Sequence, residues 1–330
     1  MSMIRSIIGR IGIVALMAIL GLTFAFPAVA QNYPSRLVRI VVPYPAGGGP
    51  DLLARGLADR LTSSWGQPMV TDNRPGAGTL IGTQEVARSA PDGHVILITD
   101  TATMTINPFL YKKLPYDPDS DFIPVTQLVQ FYQVLLSNLS LPANNLKEVI
   151  AYAKANPGKL SYGSYGIGTV AHLSAEQIKH NAGIDIVHIP YKGAESLVAA
   201  VRGEVQFAFA GGLGSRTFIG GGKLKGIAIG GPTRSALLPD LQTFAEQGYP
   251  MIDTSVSFGV FVRNGTPAPI VERIHRDFVA VLTSSEFQEK YLKPFAFEPV
   301  GSSPAEFAAF IKKSRENHRR LIENAGIRPE

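Results

Sequence analysis

One arrangement occurs twice in this chain and limits what it can fold into. An apolar strand runs into a glycine-rich loop, and a helix begins at once. The first copy is VVPYPAGGGPDLLARGLADRL, residues 41–61. The second, LSYGSYGIGTVAHLSAEQI, residues 160–178, follows roughly 120 residues later. Leu53, Leu57 and Leu61 recur every fourth residue after the first loop, and Ala171, Ala175 and Ile178 mark an inward face after the second. Strand and helix alternating through short junctions is the grammar of an α/β protein. HVILITD, residues 94–100, is a nearly continuous apolar run of the kind that lies in a sheet covered on both faces.

The same pattern extends along the chain. Strands are expected at 37–43, 68–71, 160–162 and 185–190, with VQFAFAGG and LKGIAIGG as two more that end in glycines. Leu197, Val198 and Val201 are expected to face inward from a helix starting at Glu195. Thr266-Pro267 reads as an N-cap and first-turn proline, and Ser303-Pro304-Ala305-Glu306 as a capping box opening a last helix. Two extended passages, 122–136 and 256–262, flank the second strand–loop–helix unit. Two crossings at those points imply two lobes: a discontinuous one of residues 31–128 plus 257–330, and a continuous one of residues 129–256.

Composition narrows the function. Met1 to Arg10 carries Arg5 and Arg10 and no acid, an apolar stretch follows, and Ala28-Val29-Ala30 gives a small-residue cleavage site. Residues 1–30 therefore read as a secretory signal peptide, and an exported chain is expected. Without it, 29 basic residues stand against 26 acidic ones. Lys112-Lys113 and Arg319-Arg320 are isolated pairs with no aromatic interleaving, so nucleic acid is not an expected partner. There are no cysteines, which excludes disulfides, thiolate metal sites and a cysteine nucleophile.

Catalytic patterns are scarce. Ser164 fails the nucleophile elbow because Tyr162 stands two residues upstream. The six histidines form no metal-binding pair, and His172 and His188 read as surface residues of a helix and a strand. Gly47-Gly48-Gly49 lacks the Lys-Ser/Thr of a phosphate-binding loop. Gly166-x-Gly168 with Asp185 downstream resembles a dinucleotide fingerprint and is the alternative reading. Both glycine loops suit another use: each opens a helix, and a helix N-terminus with free N–H groups favours an anion. Two such ends facing across a cleft would hold a carboxylate without arginine. Asp51 fits as an early-helix acid that complements the dipole and tightens its loop.

These residues also resemble a known family. YPSRLVRIVVPYPAGGGPDLLAR (33–55), GQPMVTDNRPGAGTLIGTQEVARSAPDGHVIL (66–97), NPFLYKKLPYDPDSDFIPVT (107–126), ANPGKLSYGSYGIGTVAHLSAE (155–176), DIVHIPYKG (185–193) and LPDLQTFAEQGYP (238–250) are similar to the periplasmic receptors of tripartite tricarboxylate transporters, the Bug family. The resemblance covers the whole chain after the signal peptide. It implies a type II periplasmic-binding-protein fold, two α/β lobes joined by two hinge strands around a ligand cleft. It also implies a monomer with no cofactor and no catalytic role, whose partners are a small di-, tricarboxylate or aromatic acid and the membrane subunits of a transporter. A sensor for a signalling partner is a further alternative. Carried onto matching positions, ligand contacts are expected from Tyr44, Ala46, Gly47, Gly48, Thr101 and Thr103 on one lobe. Ser164, Gly168, Thr169, Tyr191 and Gly211 are expected on the other. This chain has Gly49-Pro50-Asp51 where the family often has a hydroxyl, and uncharged Ala210-Gly211 where many members carry an acid. The second departure disfavours an amino-acid ligand. Arg74 in the NRPGAG turn is the arginine to watch, and His318 on the last helix is expected to lie far from the site.

Overall fold

In the computed structural model, residues 33–191, 195–324, 326, 327 and 329 are described. The expected signal peptide lies outside them. In chain order the strands are β1 (Val38–Val42), β2 (Met69–Asn73), β3 (Val95–Asp100), β4 (Phe122–Tyr132), β5 (Val134–Asn138), β6 (Leu160–Ser164), β7 (Ile186–Pro190), β8 (Phe207–Ala210), β9 (Leu224–Ile229), β10 (Ser255–Arg263) and β11 (Glu298–Pro299). They form two sheets, one of six strands in the order β11-β4-β10-β3-β1-β2 and one of five in the order β7-β6-β8-β5-β9.

In the first sheet β1 runs parallel to β2 and β3, while β10 lies antiparallel between β3 and β4. β1 and β3 are almost wholly buried, as continuous apolar runs require when helices cover both faces of a sheet. In the second sheet β6 runs parallel to β7 and β8, and β5 is antiparallel to β8 and β9. Its core gathers Leu135, Tyr162, Ile178, Phe207, Phe209 and Phe244.

The sheets are connected where β4 gives way to β5 at Gln133 and where the chain enters β10 at Thr254. These two passages are bonded to each other. Gln133 N–H donates to the Thr254 carbonyl at 3.1 Å, and the Thr254 hydroxyl donates to the Gln133 carbonyl at 2.8 Å. Gly230 N–H adds a third bond, to the Gln133 carbonyl. A Cβ at Gly230 would stand 1.9 Å from Thr254 Oγ1, so only glycine fits against this joint.

Local signals fared unevenly. The capping box opens the Pro304–Asn324 helix as read: Glu306 N–H donates to Ser303 Oγ at 3.2 Å, and Ser303 N–H to Glu306 Oε2 at 2.9 Å. Thr266, in contrast, caps nothing. Pro267 is the N-cap of the Ala268–Leu282 helix, and the Thr266 hydroxyl turns back to the Arg263 carbonyl at 2.7 Å. Val198 points outward, 44% exposed, because Leu197, Ala199 and Ala200 take the inner face of the Glu195–Arg202 helix.

Candidate functional site

The first glycine loop joins β1 to the Gly49–Trp65 helix, and Pro45 to Gly48 are exposed. Its three glycines stand there for different reasons. Gly47 has φ +86°, a conformation that disfavours a side chain. A Cβ at Gly49 would lie 2.9 Å from Phe297 Cζ. Gly48 has neither constraint: its φ is −81°, and a Cβ there would meet nothing closer than 3.8 Å. Gly48 is the helix N-cap and supplies no side-chain acceptor, so no side chain caps this helix end; Pro50 in the first turn has no N–H, which leaves those of Gly49 and Asp51 as its donors.

Asp51 closes this loop from beneath, as its place in the first turn suggested. It is 1% exposed and accepts the Gly47 N–H at 2.8 Å and the Arg55 Nε at 2.9 Å. Burial pushes its carboxyl up, but the bonds from Arg55 and Gly47 outweigh that and hold it below the ordinary range. The Gly47 N–H thus already serves an internal carboxylate.

Behind the loop, Tyr44 reaches β3. Its hydroxyl lies 3.4 Å from Thr99 Oγ1 and accepts the Asp100 N–H at 3.3 Å. Burial, reinforced by the charge of Asp100, pushes the phenol well above its usual value. Asp100 accepts both the N–H and the hydroxyl of Thr103 at 3.1 Å. Burial raises the Asp100 carboxyl against the hydrogen bonds that favour its anion. Thr103 is fully engaged, with Thr99 Oγ1 at 2.9 Å and Thr79 Oγ1 at 3.0 Å as further partners. Its hydroxyl holds the framework. Thr101 N–H donates to Ser257 of β10, which ties this segment to the crossing strand.

The second glycine loop is bonded internally. Ser164 Oγ donates to the Gly166 carbonyl at 2.9 Å, accepts the Gly166 N–H and lies 2.7 Å from His188 Nε2. Thr169 is a helix N-cap: its hydroxyl accepts the His172 N–H and donates to the Gly166 carbonyl at 2.8 Å. Tyr191 N–H donates to the Ser164 carbonyl. Tyr165 stands in the same loop, and burial alone pushes its phenol up to about 12.

His172 is buried and His188 half-buried, so neither is simply solvated. Their rings stack at 4.2 Å, and His188 stacks on Tyr162 at 4.7 Å, giving a three-ring column beside Ser164. Burial, with Lys179 adding to it, lowers His172 to about 4. Burial and the neighbouring His172 lower His188 to about 4 against the pull of Glu176. The column is invisible locally because its members come from three elements.

The two halves of the site meet. Gly168 has φ +81°, and a Cβ there would stand 2.9 Å from Leu110 Cδ1 and 3.5 Å from Asn107 Oδ1. Asn107 Nδ2 in turn donates to the Gly78 carbonyl and reaches Thr79 Oγ1, the partner of Thr103. Gly211 joins from a third junction, the uncapped N-terminus of the Gly212–Gly220 helix. It packs on Phe131, whose ring lies 5.0 Å from Phe297 beneath Gly49. Ala46 and Gly48 stay exposed on the first loop. Asp100, Asn107 and the phenylalanines were not foreseen; Asp100 alone left a signal, an acid ending an apolar strand before a threonine cluster.

Three further expectations change. Arg74 is paired with Asp72 at 3.0 Å and Glu85 at 3.4 Å. His318 is half-buried and lies 3.0 Å from Thr105 Oγ1, inside the segment that carries Thr101 and Thr103. Asp185 precedes β7 beside Gly158, while the strand register puts Gly166–Gly168 beyond the other end of β6. A dinucleotide site needs acid and glycines at the same strand ends, so that fingerprint is broken here.

The sequence profile of the tripartite tricarboxylate transporter family receptors matches residues 53–327. A UPF0065 protein of Bordetella pertussis is 35% identical over 326 residues, 98% of this chain and 99% of its own. Among solved structures, an R. palustris protein with adipate is 32% identical, with a TM-score of 0.85 over 90% of this chain and all of its own. The periplasmic binding protein BugD is also 32% identical, with a TM-score of 0.82 over 90% of this chain and all of its own.

Proposed function

The chain belongs to the tripartite tricarboxylate transporter family of receptors, and from that premise we propose that it captures a small organic carboxylate and delivers it to a membrane transporter. It acts as an extracytoplasmic receptor, not as a catalyst, working as a monomer in the periplasm after removal of residues 1–30. BugD is a periplasmic binding protein and the R. palustris relative holds adipate, which supports both parts of the reading.

The two lobes, residues 31–128 with 257–330 and residues 129–256, enclose the ligand and pivot at the bonded passages of Gln133 and Thr254. Tyr44, Ala46, Gly48 and Thr101 meet the ligand from one side, and Ser164, Gly168, Tyr191 and Gly211 from the other. Gly47, Thr103 and Thr169 hold those groups in place. Gly48 carries the reading. Neither its backbone conformation nor its surroundings demand glycine, yet it sits exposed at an uncapped helix N-terminus. A glycine that the fold does not need fits close approach by an anion to the backbone.

The test is calorimetric titration of residues 31–330 with mono-, di- and tricarboxylates, beside a nicotinamide nucleotide as control. Binding of a carboxylate that Gly48→Ala weakens, with the fold intact, supports the reading. Binding of the nucleotide alone overturns it.

A further inference from the structure

A ring of side-chain hydrogen bonds encloses the exposed first loop. Gly47 N–H donates to Asp51 Oδ2 at 2.8 Å, and Arg55 Nε lies 2.9 and 3.0 Å from the two oxygens of the same carboxylate. The other arm of that guanidinium, Nη2, donates to Asn73 Oδ1 at 3.0 Å. Asn73 Nδ2 then donates to the Tyr44 carbonyl at 3.1 Å, which closes the ring on the loop where it began. Asp51 and Arg55 come from the start of the Gly49–Trp65 helix, and Asn73 from the end of β2. One residue on, Arg74 N–H donates to the Val42 carbonyl and pins that strand end to β1.

The chemistry of each link fixes its direction. Asn73 spends its carbonyl on Arg55 and its amide on Tyr44, so one side chain carries the ring from helix to loop. The planar fork of Arg55 spans two partners at once, which the compact ammonium of a lysine does not reproduce. The ring grips the backbone at Tyr44 and at Gly47, on either side of the exposed Pro45 and Ala46. Its contribution to global stability is small, because the Arg55 side chain is 50% exposed. What the ring does is local. It fixes a short segment that has no core of its own to rest on, and a loop already in its bound conformation loses less freedom when a ligand arrives.

Resting on the receptor reading above, we propose that Arg55 and Asn73 are positioning residues for ligand capture. Without touching the ligand, they hold residues 44–48 in the form that receives it. A chain that lacks the ring and keeps that form about one-tenth of the time binds about tenfold more weakly. The test is calorimetric titration of residues 31–330 with adipate, malate, citrate and benzoate, and then of the variants with the acid bound best. Arg55→Met and Asn73→Ala each lose about tenfold in affinity. The double variant loses little more, because both changes break one ring, and Arg55→Lys does not restore binding. Hydrogen exchange on the ligand-free variants quickens at the Gly47 N–H and not in β1. Arg60→Met, which breaks an exposed pair with Glu286 on the same helix, changes neither readout. Parent affinity in both single variants overturns the inference and leaves the receptor reading standing. So does an affinity loss that Arg60→Met shares, or one without faster exchange at Gly47. Asn73→Ala decides if Arg55→Met does not fold; if neither folds, the ring is structural and the inference falls. Failure of every acid to bind the unaltered chain overturns both.

Discussion

The two glycine loops look alike in sequence and are built to opposite ends. The loop at residues 44–49 is exposed, its N-cap is a bare glycine, and one buried carboxylate, Asp51, fastens it from below. The loop at residues 164–169 is closed on itself by Ser164 and Thr169, backed by a ring column and pressed against Leu110. The first leaves donors open; the second has satisfied its own. Glycine at a strand–helix junction therefore does not announce a binding loop. What distinguishes the two is whether a neighbouring hydroxyl already occupies the helix end.

The largest effect should come from the closed loop. Gly168→Ala places a side chain at positive φ and against Leu110, costing about 1 kcal/mol for the backbone and a further ~1–3 kcal/mol for overpacking. Urea unfolding should show that loss, and a double-mutant cycle with Leu110→Val should recover part of it. The open loop should behave the other way. Gly48→Ala keeps the parent melting temperature but loses ~1.5–3 kcal/mol of ligand binding, roughly ten- to a hundredfold. If Gly48→Ala unfolds the chain instead, the contrast between the loops disappears.

Thr169→Val sharpens the comparison at a smaller scale. Losing the cap should lower stability by about 1 kcal/mol, with a weaker effect on affinity than Gly48→Ala because that hydroxyl is engaged internally. Val198→Ala, at an exposed helix position, is the suitable control; His318 is not, being bonded to Thr105.

The smallest effect is on pH dependence. His172 and His188 fall to about 4 in the folded chain, below their ordinary 6.5, so the unfolded chain binds more protons between those values. Stability from the ring column is nearly complete by pH 7.5 and is lost progressively as pH falls through 6.5 toward 4. Between pH 7.5 and 6.5 the loss should be about 0.3 kcal/mol per histidine, read as a slope in melting temperature. His188→Asn should flatten that slope, whereas changes in the first loop should leave it alone.

Elements whose signal is local were legible. Continuous apolar runs gave β1 and β3, and Ser303 with Glu306 gave the start of the last helix. Asp51 was placed correctly because a first-turn acid acts on its own helix. What escaped depends on segments far apart in the chain. Phe131, Phe258, Phe295 and Phe297 come from three elements, and periodicity along one strand says nothing about a ring arriving from another. The histidine column was missed for the same reason. Val198 was misassigned because a short helix of mostly small residues offers two plausible faces, and burial of Ala199 and Ala200 settles which one turns in.

The bonded passages at Gln133 and Thr254 have a mechanical consequence. Two independent straps between the sheets could twist separately, giving a loose joint with many intermediate angles. Here each strap grips the other's backbone, and Gly230 fits so tightly against Thr254 that the strands cannot slide apart locally. Torsion applied to one is transmitted to the other. Under the proposed two-lobe reading, the two straps would bend together as one leaf spring and not as separate threads.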